Sequence, residues 1–229
     1  MSAEVRHMFA SIAPRYDAAN QVLSLGVHRG WRRKAVALSG AAPGQRVLDC
    51  ATGTGDLALE FKRAVGQGGE VIGTDFCAEM LEAAPEKARR AGLPVTFAVA
   101  DVLALPYPDD RFDVASIAFG IRNVDDPVRG LREMARVVKP GGRVVVLEFG
   151  QPAGAFGALY RFYSRVVMPR VGHWLTGDRA AYEYLPQTAA AFPAGERFLA
   201  LMDEVGAFAS RSAAPLTFGT AWIYVGVVR

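Results

Sequence analysis

Between residues 46 and 149, short apolar runs alternate with helix-patterned stretches, and few folds accept that alternation. The runs are RVLDC (46–50), EVIGTD (70–75), VTFAVA (95–100), FDVASIAFG (112–120) and RVVVLEF (143–149). They are continuously apolar, as strands are when helices cover both faces of a sheet. Between them lie a helical pattern from Asp56 to Val65, the stretch AEMLEAAPEKARRAG closed by Gly92, and DPVRGLREMARVVK. In the last of these Asp126 is placed to cap the helix and Pro127 occupies its first turn. The spacing predicts an α/β fold with a doubly wound, mostly parallel, Rossmann-like sheet.

At 229 residues one such sheet and its helices fill the chain, so a single domain, 1–229, is expected. Residues 1–45 form a helical prefix and 46–150 a cofactor-binding core. The linker-like GQPAGAFGA (150–158) leads into a helical insertion, 151–190, whose part from 159 to 185 is rich in aromatics. A terminal helix near 195–205 and the runs RSAAPLTF and TAWIYVGVV complete 191–229, the two runs being spaced as an antiparallel pair.

The first strand ends in DCATGTGDLA, where Gly53 and Gly55 leave bare backbone between strand and helix. Asp49, Asp75 and Asp101 stand at strand ends, where open parallel sheets bind their ligands. Asp75 lies 20 residues past Gly55, the spacing at which an acidic side chain meets a ribose. A dinucleotide would set its pyrophosphate over the helix N-terminus, between Asp49 and Asp56, and both would repel it. S-adenosylmethionine removes the conflict: it has an adenosine, no phosphate, and two cationic groups that favour carboxylates. Asp75 is then expected on the ribose hydroxyls, Asp101 on the adenine amino group and the Val102 backbone on the ring. The other reading is that Asp49 and Asp101 only cap helices or turns.

Net charge is modest, 26 basic against 23 acidic residues, but HRGWRRK (28–34) and RFYSRVVMPR (161–170) mix arginines with aromatics. Two readings stand: solvated helix faces, or a surface touching anionic lipid head groups. Neither stretch belongs to a nucleic-acid-binding motif, so no nucleic-acid partner is expected. Cys50 and Cys77 are too few and too isolated for a disulfide framework or a zinc site, and no metal is expected. No signal peptide and no membrane-spanning run is read, which points to the cytoplasm, with peripheral contact at the inner face of the membrane left open. So is a homodimer.

YDAANQVLSLGVHRGW (16–31) resembles a signature of the ubiquinone/menaquinone biosynthesis C-methyltransferases. Tyr16, Asp17, Asn20, Ser24, His28 and Trp31 match it, and Ala19 stands where Met is usual. RVVKPGGRVVVLEFG (136–150) resembles a second signature, with Gly150 where Ser is frequent, and FGIRNVDD (119–126) is similar to the loop after the fourth strand. The resemblance covers essentially the whole chain. It implies the class I methyltransferase fold with a C-terminal antiparallel strand, and S-adenosylmethionine contacts at Thr54, Asp75, Asp101 and Val102. Gly53, Gly55 and Asp49 complete the cofactor side. Ala118 stands where a Ser contact is common in the family, and Asp101 where Asn is more usual.

The acceptor so implied is a prenylated quinol, 2-demethylmenaquinol foremost, methylated on ring carbon. Such chemistry needs a stabilised phenolate, an aligned ring and an outlet for the ring proton. Arg122 is the candidate for the phenolate and Asn123 for the ring, while Asp56 and Tyr16 are candidates to relay the proton. Each has an alternative: for Arg122, pairing with Asp125 or Asp126, and for Asp56, serving only the helix dipole. His28 and Trp31 share a helix face, where core packing and a hydrogen bond suit His28 better than base catalysis. Phe156, Tyr160, Phe162, Tyr163, Met168 and Trp174 would line an isoprenoid groove or simply pack a helical core. Two further functions compete: a methyltransferase with another lipophilic acceptor, ubiquinol-pathway intermediates included, and a non-catalytic S-adenosylmethionine-binding protein.

Overall fold

The computed structural model describes residues 3–229. Helices α1 (Ala3–Ile12), α2 (Tyr16–Leu23) and α3 (Val27–Ser39) form the prefix. The core follows as β1 (Arg46–Cys50), α4 (Asp56–Val65), β2 (Glu70–Asp75), α5 (Ala78–Leu81), α6 (Ala84–Ala91), β3 (Thr96–Val99), β4 (Phe112–Ala118), α7 (Pro127–Arg136) and β5 (Val138–Phe149). Then come α8 (Gly154–Phe162), a π-helical turn (Tyr163–Val167), α9 (Met168–Thr176), α10 (Arg179–Ala191), α11 (Glu196–Val205), β6 (Phe208–Leu216) and β7 (Ala221–Val228).

The seven strands form one sheet in the order β3-β2-β1-β4-β5-β7-β6. The first five are parallel, and β7 runs antiparallel to both β5 and β6. The chain winds outward from β1 to β3, then returns to lay β4 on the other side of β1. That reversal is the switch point where an open sheet leaves a crevice. The register sets Asp49 opposite Ser116 and Cys50 opposite Ile117, so the loops after β1 and β4 emerge side by side.

Local signals set several elements. Asp126 accepts a hydrogen bond from the Arg129 N–H and Pro127 opens α7, as the cap pattern predicts. Gly92, in a left-handed conformation, closes α6. The stretch 78–92, expected as one helix, is two, with Pro85 in the first turn of the second and no backbone N–H to carry the ladder through.

Core residues pack on both sheet faces. Val47 of β1 joins Trp31, Leu57, Phe61 and Ile223 on one side, while its neighbour Leu48 joins Phe112, Met134, Phe198 and Tyr224 on the other. A third cluster belongs to the prefix and insertion alone: Ile12, Ala19 and Leu23 meet Met168, Ala181 and Tyr182. The Tyr163 hydroxyl ties them further by donating to the Leu23 carbonyl at 2.7 Å. Prefix and insertion therefore form a single cap.

Candidate active site

Two cavities meet at the crevice. The narrow one follows β1 and is lined by Asp49, Ala51, Thr52, Gly53, Thr54, Asp56 and Leu57, with Ala118 from the end of β4. The larger is apolar, walled by Phe9, Ile12 and Leu23 from the prefix and Tyr160, Met168 and Leu185 from the insertion. Tyr16, Arg32 and Phe119 line both, so the two cavities lie side by side with these three residues as their common wall.

At the narrow cleft, Gly55 has φ +86°, and a Cβ there would come within 2.9 Å of the Phe97 ring. Only glycine lets the loop turn this closely. Asp75 accepts from the Gly53 N–H at 2.8 Å and the Cys77 N–H at 2.9 Å, fixing the loop beside the end of β2. Burial raises the Asp75 pKa, and those backbone N–H groups oppose the rise. Asp101 accepts from the Leu103 N–H at 2.9 Å through one carboxylate oxygen, so it does cap a turn. Val102 is half-buried against the core.

Asp49 is fully buried, and the hydroxyls of Thr52 (2.6 Å) and Ser116 (2.7 Å) donate to it. Burial pushes its pKa from 3.8 up to about 6 despite those two donors and Arg32. The folded state thus takes up a proton more readily than the unfolded chain. The stability that Asp49 contributes as a buried neutral acid is fully present below pH 3.8 and is lost as the pH rises through about 6. Asp49→Asn is expected to gain stability on wild type between pH 4 and 7, by on the order of 2–3 kcal/mol for a shift of about two units. Denaturant unfolding at the two pH values checks this; an unchanged difference would contradict it.

Asp56 opens α4 and lies in an ion-pair network: Lys87 Nζ is 2.7 Å and Arg32 Nη1 3.2 Å away. Burial would raise its pKa, but Arg32 and Lys87 outweigh that and hold it below the ordinary value. Lys87 also meets Asp17 at 2.5 Å and the Thr54 hydroxyl at 3.0 Å, and that hydroxyl donates to Asp17 at 2.6 Å. Helix α2 is thereby latched to the glycine loop.

At the larger cavity Phe119, at φ +57°, ends β4 in a conformation bulky residues avoid. It packs between Phe149 (centroids 4.5 Å apart) and Trp31 (6.2 Å). The strained turn delivers Arg122 to the cavity wall, while Asn123 stands behind it, outside the residues that line the cavity. Arg122 pairs with Glu148 at 2.9 Å, the two side chains being 4% and 1% exposed. The alternative partners Asp125 and Asp126 are thus corrected: the arginine is committed to a buried carboxylate on β5, and Asp126 caps α7. Arg122 also lies over the Phe149 ring at 5.3 Å, and its Nε is buried without a hydrogen bond. Asn123 Oδ1 accepts from the Tyr184 hydroxyl at 3.1 Å.

The Ser24 hydroxyl donates to the Asn20 carbonyl at 2.6 Å, so toward His28 Nδ1, 3.0 Å away, it can only accept. The imidazole thus carries its proton on Nδ1, and burial followed by Arg32 lowers its pKa to about 4. His28 and Arg32 are both buried, so 28–34 is not one solvated face; only Arg29, Arg33 and Lys34 of its cations are exposed. Of the aromatics expected in the groove, Tyr160 and Tyr163 line the cavity together with Met168. Phe162 and Trp174 point to solvent, and Phe156 packs on Phe218.

Sequence reasoning passed over Arg32, Lys87, Glu148, Ser116 and Tyr184. Asp17 and Glu148 lie inside the two quoted signatures, the one usable signal.

The model of the ubiE/COQ5 methyltransferase family matches residues 1–228. The chain belongs to that family. A ubiquinone/menaquinone biosynthesis C-methyltransferase of Bdellovibrio bacteriovorus is 57% identical over 98% of this chain and 96% of its own. A demethylmenaquinone methyltransferase of Deinococcus radiodurans is 52% identical over 97% and 91%. Among solved structures, a SAM-dependent methyltransferase of Thermotoga maritima superposes with a TM-score of 0.69 at 22% identity, over 97% of this chain and 99% of that one. At that identity it shows the fold alone, which is the family's.

The cleft suits the donor expected from the sequence. Carboxylates stand at the ends of β1 and β2, glycine leaves room at the loop, and a buried Arg32 nitrogen has an unused donor. The carboxylates favour cationic groups, and the single arginine donor leaves room for one carboxylate beside them.

Proposed function

We propose that this chain transfers the methyl group of S-adenosylmethionine to a ring carbon of a prenylated quinol, 2-demethylmenaquinol ahead of ubiquinol-pathway intermediates. The observation that carries the reading is the apolar cavity beside the glycine-loop cleft, with a buried arginine at its wall. The Deinococcus relative and a Thermus thermophilus relative, 50% identical, both bear the name demethylmenaquinone methyltransferase, which favours the menaquinol acceptor.

The bound donor supplies an electrophilic methyl group. The protein makes the acceptor carbon nucleophilic and keeps water away. Arg122, fixed by Glu148 through one nitrogen, directs its unpaired Nε to the phenolate oxygen. Asn123, held by Tyr184, steadies the ring. As the new C–C bond forms the ring proton leaves, and Tyr16, at the junction of the two cavities, is the candidate to pass it on. Asp56, given the same task by the sequence, is instead ionised and held by two cations, which makes it a poor proton acceptor and a good anchor for the prefix.

The isoprenoid tail would follow Tyr160, Met168 and Leu185 into a second apolar groove, which the same three residues also line. No helix among the described residues is long and apolar enough to cross a membrane. Leu25 (86% exposed), Phe162 and Trp174 stand outward from the cap, and Arg161, Arg165 and Arg170 are exposed on the same insertion. The enzyme would work in the cytoplasm, docked by this face on anionic lipid. Co-sedimentation with anionic vesicles is expected at low salt, falling as salt rises, with Leu25→Ser and Phe162→Ser each reducing it. No pelleting at low salt would contradict the docking.

The test of the function is transfer of label from methyl-labelled S-adenosylmethionine to short-tailed demethylmenaquinol, run beside demethoxyubiquinol. Faster labelling of demethylmenaquinol is expected; labelling of neither would overturn the reading.

A further inference from the structure

S-adenosylmethionine ends in an amino-acid carboxylate, which no side chain placed on the cofactor so far can pair with. Asp49, Asp75 and Asp101 are acceptors, and Thr54 offers one hydroxyl already given to Asp17. A carboxylate in a half-buried cleft calls for a cation, and Lys87 and Arg32 are the two that reach this loop. Lys87 has three donors and three oxygens on them, from Asp17, Thr54 and Asp56, and it does not line the cleft.

Arg32 is placed differently. It projects from α3, its side chain is 11% exposed, and it borders the cleft beside Thr52, Gly53 and Thr54. Asp56 Oδ2 lies 3.2 Å from Nη1, yet Nη1 is buried without a hydrogen bond, so the ion pair leaves that donor unused. An unsatisfied donor on a buried guanidinium is costly, and a carboxylate matches its planar fork.

We infer that Arg32 is the anchor for the amino-acid carboxylate of S-adenosylmethionine, a binding role carried by the prefix rather than by the sheet. The inference rests on the cofactor reading above. It has a structural consequence: α3 also carries His28 and Trp31, which line the acceptor cavity, so seating the carboxylate fixes a wall of the quinol site.

Titration calorimetry on the full chain tests it with two ligands. Decarboxylated S-adenosylmethionine keeps the adenosine, sulfonium and amine and lacks only the carboxylate. Wild type is expected to prefer S-adenosylmethionine by about 10- to 100-fold, the range of a hydrogen bond to a charged group. Arg32→Gln should erase most of that preference by weakening S-adenosylmethionine alone. A merely structural arginine would lower both affinities together and leave their ratio intact. Equal binding by wild type, or a preserved ratio in folded Arg32→Gln, overturns the assignment. If Arg32→Gln does not fold, Arg32→Met, which fills similar volume, is read the same way. Wild type binding neither ligand would overturn the cofactor reading and Arg32 with it.

Discussion

Arg122→Ala is expected to lower turnover by about 10²–10³, the loss typical of one donor at a developing oxyanion, while S-adenosylmethionine binding stays nearly unchanged. The charge that Arg122 meets grows only as the phenolate forms, so the variant loses rate rather than cofactor affinity. The geometry adds a complication, because alanine strands Glu148 as an uncompensated buried carboxylate. Arg122→Lys separates the effects. An ammonium keeps the charge against Glu148 and should restore most of the stability, but it loses the fork that serves Glu148 and the ring oxygen together. Its rate should recover only in part. Saturating kinetics beside a melting curve decides, and near-normal turnover in folded Arg122→Ala would remove the arginine from the chemistry.

Glu148→Ala is expected to cost about 3–5 kcal/mol of stability, since it leaves a guanidinium buried without its partner. Glu148 also accepts the Phe149 N–H at 2.8 Å, so the loss reaches the end of β5. Replacing both members, Arg122→Met with Glu148→Leu, should recover much of that stability, because apolar side chains of similar size often do as well as a buried ion pair. The double variant should remain inactive. Denaturant unfolding gives the first value; a loss below about 1 kcal/mol from Glu148→Ala would match a solvated surface pair instead. A stable, inactive double variant would show that the pair is kept for chemistry.

The core was legible because its signals are local. Asp56–Val65, the Asp126 cap with Pro127, and the glycines between β1 and α4 are each written in a few consecutive residues. The cap over the site was not. Ile12 and Leu23 meet Met168 and Tyr182 across most of the chain, and an amphipathic pattern does not name its partner. The same distance hid the Arg122–Glu148 pair, Glu148 being a charge inside an apolar run whose partner lies 26 residues earlier. GQPAGAFGA read as a linker on its glycines and proline, yet α8 begins at Gly154. There Gly157 allows an approach in which a Cβ would fall 2.1 Å from the Pro152 carbonyl oxygen, so a residue that looked flexible is one that packs. Of the candidate site residues, Asp49 and Asp75 could be set at the ends of β1 and β2 from spacing alone. Arg32 and Lys87 could not, because they reach the loop from other helices.

Transfer to carbon rather than oxygen is read from the carbon-13 NMR spectrum of the product formed from [methyl-¹³C]S-adenosylmethionine and short-tailed demethylmenaquinol. A single enriched resonance of a methyl group bonded to the quinone ring is expected. An enriched methoxy resonance, or label found only in unreacted donor and its breakdown products, would contradict it.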